Sequence, residues 1–259
     1  MKLDVFLRTC SRRGVIAGQQ RCIPDSRELM ILKCVSSLVD SIRRSKHQVK
    51  LWIVDDHSDQ YFIVRLQEKI STIDSHIEPL AGTGAQDSAV AQFAMAKNNG
   101  SELVYLVEDD YFHAPDAIDR MIDAYGELNQ IDDFHSTAIF PYDSIDRYQR
   151  DFPEPCRLFY LNGLYWRTTT KTTFTVMLHY TNFCNSFGLF EYLGRNYTPT
   201  GITEDQTINK LWNNMVTFGG PIVLFSPVPS LAIHLEYQQP TNLTTGLSDW
   251  RNKWNNYAL

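Results

Sequence analysis

Glu102-Leu103-Val104-Tyr105-Leu106-Val107-Glu108-Asp109-Asp110 decides how this chain is read. A run of strand-forming residues ends abruptly in three carboxylates. Val and Tyr favour a pleated surface, and a short apolar run is how a buried sheet strand reads. Three adjacent acids repel one another unless a cation or a hydrogen-bond donor sits opposite. Hard divalent cations prefer carboxylate oxygens, and Mg²⁺ commonly binds through one or two carboxylates plus substrate phosphates. The plainer alternative is a solvated acidic turn, so the rest of the chain must decide.

Working back toward the N-terminus, strand and helix patterns alternate. Residues 3–9 read as a first strand. Leu29, Leu32, Val35, Val39 and Ile42 recur at helical spacing behind Asp25 and Glu28, which resemble a capping box. Residues 49–54 read as a second strand that ends in Asp55-Asp56-His57-Ser58-Asp59. Residues 61–70 read as helix, 76–80 as a short strand and 85–97 as an Ala-rich helix ahead of the acidic strand. Pro115 and Asp116 then open another helix. Alternation of this kind specifies an α/β domain with a mainly parallel sheet, in which ligands bind beyond the carboxyl ends of the strands. Residues 9–13, 55–59 and 108–110 all fall at those ends. Three polar clusters converging on one rim is more than a solvated turn requires.

Beyond residue 135 the pattern changes. Residues 137–142 read as a strand, 158–161 and 165–175 as antiparallel strands, and 180–193 as an aromatic-rich helix. Thr203 with Gln206 matches a capping box that opens a helix containing Ile208, Leu211 and Trp212. Residues 222–225 and 231–235 read as late strands, and 238–259 as a wrapping tail docked by Trp250 and Trp254. No Pro/Gly/Ser-rich linker separates the halves, so one continuous domain over residues 1–259 is expected. At 259 residues a chain buries roughly 70–75% of its unfolded surface and needs no staples.

Bulk properties narrow the partners. A net charge of −6 argues against a nucleic-acid backbone as ligand. No run reaches the roughly 18 apolar residues of a membrane span. Residues 1–9 carry Lys2, Asp4 and Arg8, so no signal-peptide core is expected. Five cysteines without a C-x-x-C pair read as reduced thiols in a cytoplasmic protein.

Four landmarks carry a family resemblance. Val5-Phe6-Leu7-Arg8-Thr9 resembles a first nucleotide-binding strand, and Val54-Asp55-Asp56-His57-Ser58 an acidic turn after the second strand. Glu108-Asp109-Asp110 resembles a D-x-D-type metal motif, and Thr203-Glu204-Asp205 a T-E-D segment bearing a catalytic base. Their order over residues 1–235 is similar to the family 2 glycosyltransferases, inverting enzymes of the GT-A fold. That fold is a Rossmann-like nucleotide-diphospho-sugar transferase, with a central mixed, mostly parallel sheet flanked by helices.

The resemblance implies a nucleotide-sugar-binding half at 1–135, an acceptor and catalytic half at 136–237, and a tail at 238–259. It implies a nucleotide-diphosphate sugar donor, with a UDP-sugar the first expectation, and a glycan or other hydroxyl acceptor. Asp56 would bond the nucleobase, with Thr9 lining the same pocket, and Asp109 would contact the ribose. Asp110 would ligate Mn²⁺ or Mg²⁺, His234 would be a second ligand, and Asp205 the general base. Arg12 and Arg13 are candidates to bind the diphosphate, and Trp166 and Glu204 are candidate acceptor contacts. Two features depart from the family. Thr9-Cys10-Ser11-Arg12 stands where many members have an aromatic or Asn that packs on the base. A Q-x-x-R-W segment is absent, so a processive polysaccharide synthase is not expected.

Chemically, a nucleoside diphosphate leaving an anomeric carbon builds negative charge that a divalent ion neutralises. The attacking hydroxyl must lose a proton, which a carboxylate with a raised pKa can take. A helix N-terminus around Asp205 would oppose that rise, because its dipole favours the anion. His234 could equally be a core histidine, Thr203-Glu204-Asp205 a plain cap, and Trp166 ordinary strand packing. Two rivals stay open: a nucleotidyltransferase, for which Arg12-Arg13-Gly14 is a faint glycine-and-base signal, and a silent sugar-nucleotide or glycan-binding module.

Overall fold

The acidic strand lies in the middle of a ten-stranded sheet because its apolar residues are covered on both faces. Residues 1–12, 23–131, 136–148, 154–198, 200–216, 219–235 and 250–257 are described by the computed structural model. The first half runs β1 (Lys2–Thr9), α1 (Arg27–Arg44), β2 (Gln48–Asp55), α2 (Gln60–Ile70), β3 (Ser75–Pro79), α3 (Gly84–Asn99), β4 (Leu103–Glu108), β5 (Tyr111–His113) and α4 (Ala117–Leu128). The second half runs β6 (Thr137–Ile139), β7 (Leu158–Leu161), β8 (Leu164–Thr168), β9 (Val176–His179), α5 (Tyr180–Asn185), α6 (Phe187–Asn196), β10 (Trp212–Asn213), β11 (Ile222–Val228), β12 (Ala232–His234) and α7 (Trp250–Asn255). The main sheet has the order β3-β2-β1-β4-β9-β6-β11-β8-β7, with β10 beside β11.

Strands β3, β2, β1 and β4 are parallel neighbours. The chain winds outward from β1 to β3, then returns to place β4 on the other side of β1. The order of winding therefore reverses between β1 and β4, and a crevice opens at their carboxyl ends. Gln92, buried on α3, clamps that junction: its Nε2 donates to the carbonyls of Phe6 at 2.6 Å and Val107 at 3.0 Å.

From β4 onward antiparallel pairs enter, through β9 beside β4 and β6 and through β8 beside β11 and β7. The late strand expected at 231–235 does not extend this sheet. β12 instead pairs antiparallel with β5, setting His234 opposite Tyr111. β5 itself, three residues long, was hidden in sequence behind the acids that precede it.

Several boundaries differ from the sequence reading for physical reasons. Ser26, not Asp25, caps α1, its Oγ accepting the Leu29 N–H at 3.2 Å. Asp25 turns instead to the C-terminal helix, accepting the Trp254 indole N–H at 2.7 Å. The expected helix after Thr203 is two 3₁₀ turns, Glu204–Gln206 and Ile208–Leu211, after which Trp212 enters β10. The stretch 165–175 is strand only to Thr168, and 180–193 splits into α5 and α6. Of the tail, 236–249, 258 and 259 lie outside the described residues; Trp250 and Trp254 are buried. Among the described residues, Cys10, Cys34, Cys156 and Cys184 are thiols and form no disulfide. Among the described residues no helix is long and apolar enough to cross a membrane.

Helix α1 also supports β5, the strand that follows the acids. Ser37 Oγ accepts the His113 N–H at 2.9 Å, and Ser41 Oγ accepts the Ile118 N–H at 2.9 Å. The His113 ring is buried between the Tyr111 carbonyl, 3.0 Å from Nδ1, and the Tyr105 hydroxyl, 2.8 Å from Nε2. A carbonyl only accepts, so Nδ1 carries the proton and Nε2 takes the phenol's. Burial holds its pKa down from 6.5 to about 4. Between those values the unfolded chain binds a proton that the folded chain refuses. Stability is thus full above the unfolded pKa and falls as pH drops through the window, by about 2–3 kcal/mol. Urea unfolding at pH 7 and pH 4.5 should show a smaller acid loss in His113→Gln than in wild type. An identical loss in both would exclude His113 as its source.

Candidate active site

Two clefts meet at the rim of the sheet. The first, about 320 Å³, opens at the β1/β4 crevice, and its wall includes Arg8, Thr9, Cys10, Arg12, Arg27, Asp56, Gly84, Glu108, Asp109 and Asp110. The second, about 290 Å³, is walled by Phe140, Tyr142, Arg147, Lys171, Glu204, Asp205 and His234. Asp110 of the first and His234 of the second touch, Oδ2 to Nε2, at 3.1 Å.

Each acid of the first cleft is held differently. Asp56 follows β2 and is buried; its Oδ2 accepts the Gly84 N–H at 2.9 Å and its Oδ1 lies 3.1 Å from His57 Nδ1. Gly84 has φ +89°, a left-handed backbone that side chains rarely adopt, and this turns its N–H toward Asp56 at the start of α3. Thr9 Oγ1 donates to Asp55 Oδ2 at 2.7 Å, so Asp55 braces the β1 and β2 ends while Asp56 faces the cleft.

Asp109 is tied from two sides. Arg27 Nη2 reaches both of its oxygens, at 2.7 and 3.0 Å, and the Cys10 N–H donates to Oδ2 at 3.1 Å. Arg27 was not singled out in sequence; an Arg at the first position of an amphipathic helix carries no local mark of its partner. Glu108 pairs with Arg8 at 2.6 Å, and Arg8 also lies over the Phe174 ring. Two of the four carboxylates lining this cleft are thereby balanced, which answers the repulsion that the acidic run posed.

The ribbon of β5 and β12 brings together residues 124 positions apart. The Leu235 N–H donates to the Asp110 carbonyl at 3.0 Å, locking the two chains beside the acid. The His234 ring stacks on Tyr111, centroids 4.9 Å apart and planes 17° apart, with Tyr142 edge-on at 6.4 Å. His234 is half-buried and faces the second cleft, unlike the core histidine His113.

The other expected residues fall as follows. Arg12 lines the first cleft and is exposed; Arg13 and Gly14 lie outside the described residues. Glu204 and Asp205 line the second cleft. Asp205 is exposed and accepts the Asn209 side-chain N–H at 2.9 Å. Glu204 is half-buried, and burial pushes its carboxyl up to about 7, with Glu108 and Asp205 adding to the rise and Arg8 and its own backbone N–H opposing it. Trp166 is 1% exposed, on β8, and lines neither cleft; that burial makes it a packing residue on which no acceptor sugar can stack. Phe140 and Tyr142 stand at the wall of the second cleft but are buried like Trp166, so they too are packing residues.

A parallel β3-β2-β1-β4 sheet with acids at its carboxyl rim and an antiparallel second half that closes a neighbouring cleft is the GT-A fold. The family model for glycosyl transferase family 2 matches residues 26–193, and this chain belongs to that family. Among solved structures, Staphylococcus aureus TarS resembles it at 13% identity and TM-score 0.49, covering 87% of this chain and 36% of TarS. TarS residues 1–349 in complex with UDP-GlcNAc gives 13% identity and TM-score 0.47, covering 87% and 58%. The 4-diphosphocytidyl-2C-methyl-D-erythritol synthase of Anaerococcus prevotii DSM 20548 gives 12% and 0.46, covering 96% of each chain. The chain thus spans little more than a third of full TarS, and likenesses this distant carry no argument about activity. No curated protein matches the chain.

Arg27 offers a direct check on this geometry. Arg27→Ala leaves Asp109 buried without that partner, which costs about 3–5 kcal/mol of folding stability. Chemical denaturation should show it. A loss below about 1 kcal/mol would mean that the pair does not hold Asp109 in place.

Proposed function

We propose that this chain transfers a sugar from a nucleotide-diphosphate donor to an acceptor hydroxyl, with a divalent cation and with inversion at the anomeric carbon. The donor lies in the first cleft, its nucleoside against Asp56, Thr9 and Asp109 and its diphosphate toward Asp110 and Arg12. The acceptor lies in the second cleft, beside Lys171, Glu204 and Asp205. The observation that carries this reading is the contact of Asp110 with His234, which makes the two clefts one continuous site.

The donor set fits a cation shared with a substrate. Asp110 offers a carboxylate oxygen and His234 an imidazole nitrogen on the same spot, a mixed pair that suits Mn²⁺ somewhat better than Mg²⁺. Among the described residues no group of three or more His, Cys, Asp or Glu could hold a metal. Two protein ligands leave the remaining positions to diphosphate oxygens and water, the usual arrangement for a phosphate-bridging ion. Bound there, a divalent cation supplies charge neutralisation on the departing diphosphate. His234 must then be neutral at its ligating nitrogen, and its stack on Tyr111 fixes the ring plane.

The other groups of the site orient and deprotonate. Arg27 and the Cys10 N–H hold Asp109 in place, and the Gly84 N–H holds Asp56. The carboxylates Glu204 and Asp205 stand at the acceptor side, where a carboxylate can take the acceptor's proton. One displacement by the acceptor oxygen, on the face opposite the leaving group, gives inversion. A nucleotidyltransferase on the same scaffold would release pyrophosphate instead of a nucleoside diphosphate.

Thermal-shift titration with a panel of UDP-, GDP- and dTDP-sugars, with and without Mn²⁺, tests the reading. A ligand at 100 times its Kd adds about 2.7 kcal/mol, or roughly 5–10 °C in Tm for a chain of this size. The shift should require Mn²⁺ for at least one donor and vanish in Asp110→Ala. Incubation with that donor and Mn²⁺ should release nucleoside diphosphate. Equal shifts without Mn²⁺ or in Asp110→Ala would remove the metal role, and pyrophosphate release would replace sugar transfer by nucleotidyl transfer.

A further inference from the structure

We infer that His57 supplies the ring on which the donor's base packs, and that this is why a side chain stands at a left-handed backbone position. The inference rests on the transfer reading above, which seats the nucleoside against Asp56. It names a further residue that sets how tightly that nucleoside is held.

Conformational preference alone would put glycine at position 57. Its φ is +55°, in the left-handed region where a Cβ crowds the following carbonyl. Bonds on both sides hold the chain in that conformation. The Asp56 N–H donates to the Thr9 carbonyl at 2.8 Å, and the Ser58 N–H donates to Asp55 Oδ1 at 2.8 Å. Asp59 then caps α2, its Oδ1 accepting the Phe62 N–H at 3.0 Å. The turn from β2 into α2 requires the left-handed residue but no side chain upon it. Left-handed residues other than glycine cluster at ligand sites, where the surrounding structure holds them.

The His57 side chain stands at such a site. It lines the first cleft, and among the described residues of that wall it is the only one with a ring. The end of β1 and the residues after it, Thr9-Cys10-Ser11-Arg12, supply none. Asp56 lies between His57 and Gly84. Its Oδ1 is 3.1 Å from His57 Nδ1, and its Oδ2 accepts the Gly84 N–H at 2.9 Å. A carboxylate only accepts, so Nδ1 carries the proton, and this bond sets the ring's orientation beside Asp56. The space over Gly84 is open: among the described residues, a Cβ added there would meet no atom within 4 Å. A flat base bonded edge-on to Asp56 thus finds an imidazole at one oxygen and bare backbone at the other.

The fold makes no other use of the ring. The side chain is 54% exposed, and Asp56 is its polar partner among the described residues. Removing it opens no cavity in the core. Base–aromatic stacking tolerates any base, because every base has a π-face. His57 therefore adds affinity for the nucleoside, while discrimination between bases falls to edge contacts such as those of Asp56.

Calorimetric titration of wild type, His57→Gly, His57→Asn and His57→Phe with UDP, GDP and dTDP in the presence of Mn²⁺ tests the assignment, with the ligand-free Tm of each. His57→Gly should bind the nucleotide that wild type prefers about fivefold or more weakly, the loss expected for one stacked base. Its ligand-free Tm should stand at or above that of wild type, because glycine takes left-handed backbone freely. Asn tolerates that region and keeps a donor for Asp56, but it has no ring, so His57→Asn should bind as weakly as His57→Gly. His57→Phe restores a ring without the hydrogen bond and should bind within about twofold of wild type. An Asn variant as tight as wild type would make His57 a brace for Asp56 and nothing more. A Phe variant as weak as the Gly variant would remove stacking, and a Gly variant with unchanged affinity or a lowered Tm would overturn the assignment outright. A wild type that binds none of the three nucleotides contradicts the donor-cleft reading itself and takes this role with it.

Discussion

The 3.1 Å approach of Asp110 and His234 is the contact on which the proposed site rests. Neither residue is remarkable on its own element. Asp110 ends an acidic run, and His234 sits on a three-residue strand. The constraint that joins them is the antiparallel ribbon of β5 and β12, whose register puts His234 opposite Tyr111 and bonds Leu235 to the Asp110 carbonyl. Without that ribbon, the crevice at β1/β4 and the cleft of the second half are separate features of a sheet rim.

The acids around this contact are kept apart by committed partners. Arg27 balances Asp109, Arg8 balances Glu108, and a left-handed Gly84 turns a backbone N–H onto Asp56. In a partly desolvated crevice such pairs are costly to break, because the partner is left as a buried charge. The scaffold beneath is stiffened in the same spirit. Gln92 bonds carbonyls of both β1 and β4, and the serines of α1 bond the chain on either side of Pro115. The site is therefore preorganised by polar side chains reaching from α1 and α3 to the strand ends.

The first half was legible in the sequence because parallel strands and amphipathic helices write themselves as local periodicity. The runs ending at Thr9, Asp55 and Glu108 announced three strand ends on one rim, and those residues do share that rim. Asp110 and His234 were named together as ligands of one ion, on the family resemblance alone, and the fold brings them into contact. What periodicity misses is what short or irregular pieces do. β5 is three residues behind an acidic turn, and nothing local in 231–235 says that β12 pairs with β5 and not with the main sheet. Thr203-Gln206 has the cap chemistry of a helix, yet the turn tightens to 3₁₀ and exposes Asp205. Trp166 looked like a platform because exposure is not written in residue type. Arg27 and Gln92 carry no periodic signal at all, since their partners are more than ten residues away in sequence and meet them only in the fold.

One measurement tests the joining of the two clefts most directly. Crystals grown with Mn²⁺ and a nucleoside diphosphate should show an anomalous peak within coordination distance of both Asp110 and His234, with diphosphate oxygens completing its shell on the side of Asp56 and Asp109. A nucleoside diphosphate seated in the first cleft with Mn²⁺ elsewhere, or with no Mn²⁺ at the Asp110–His234 pair, would contradict it.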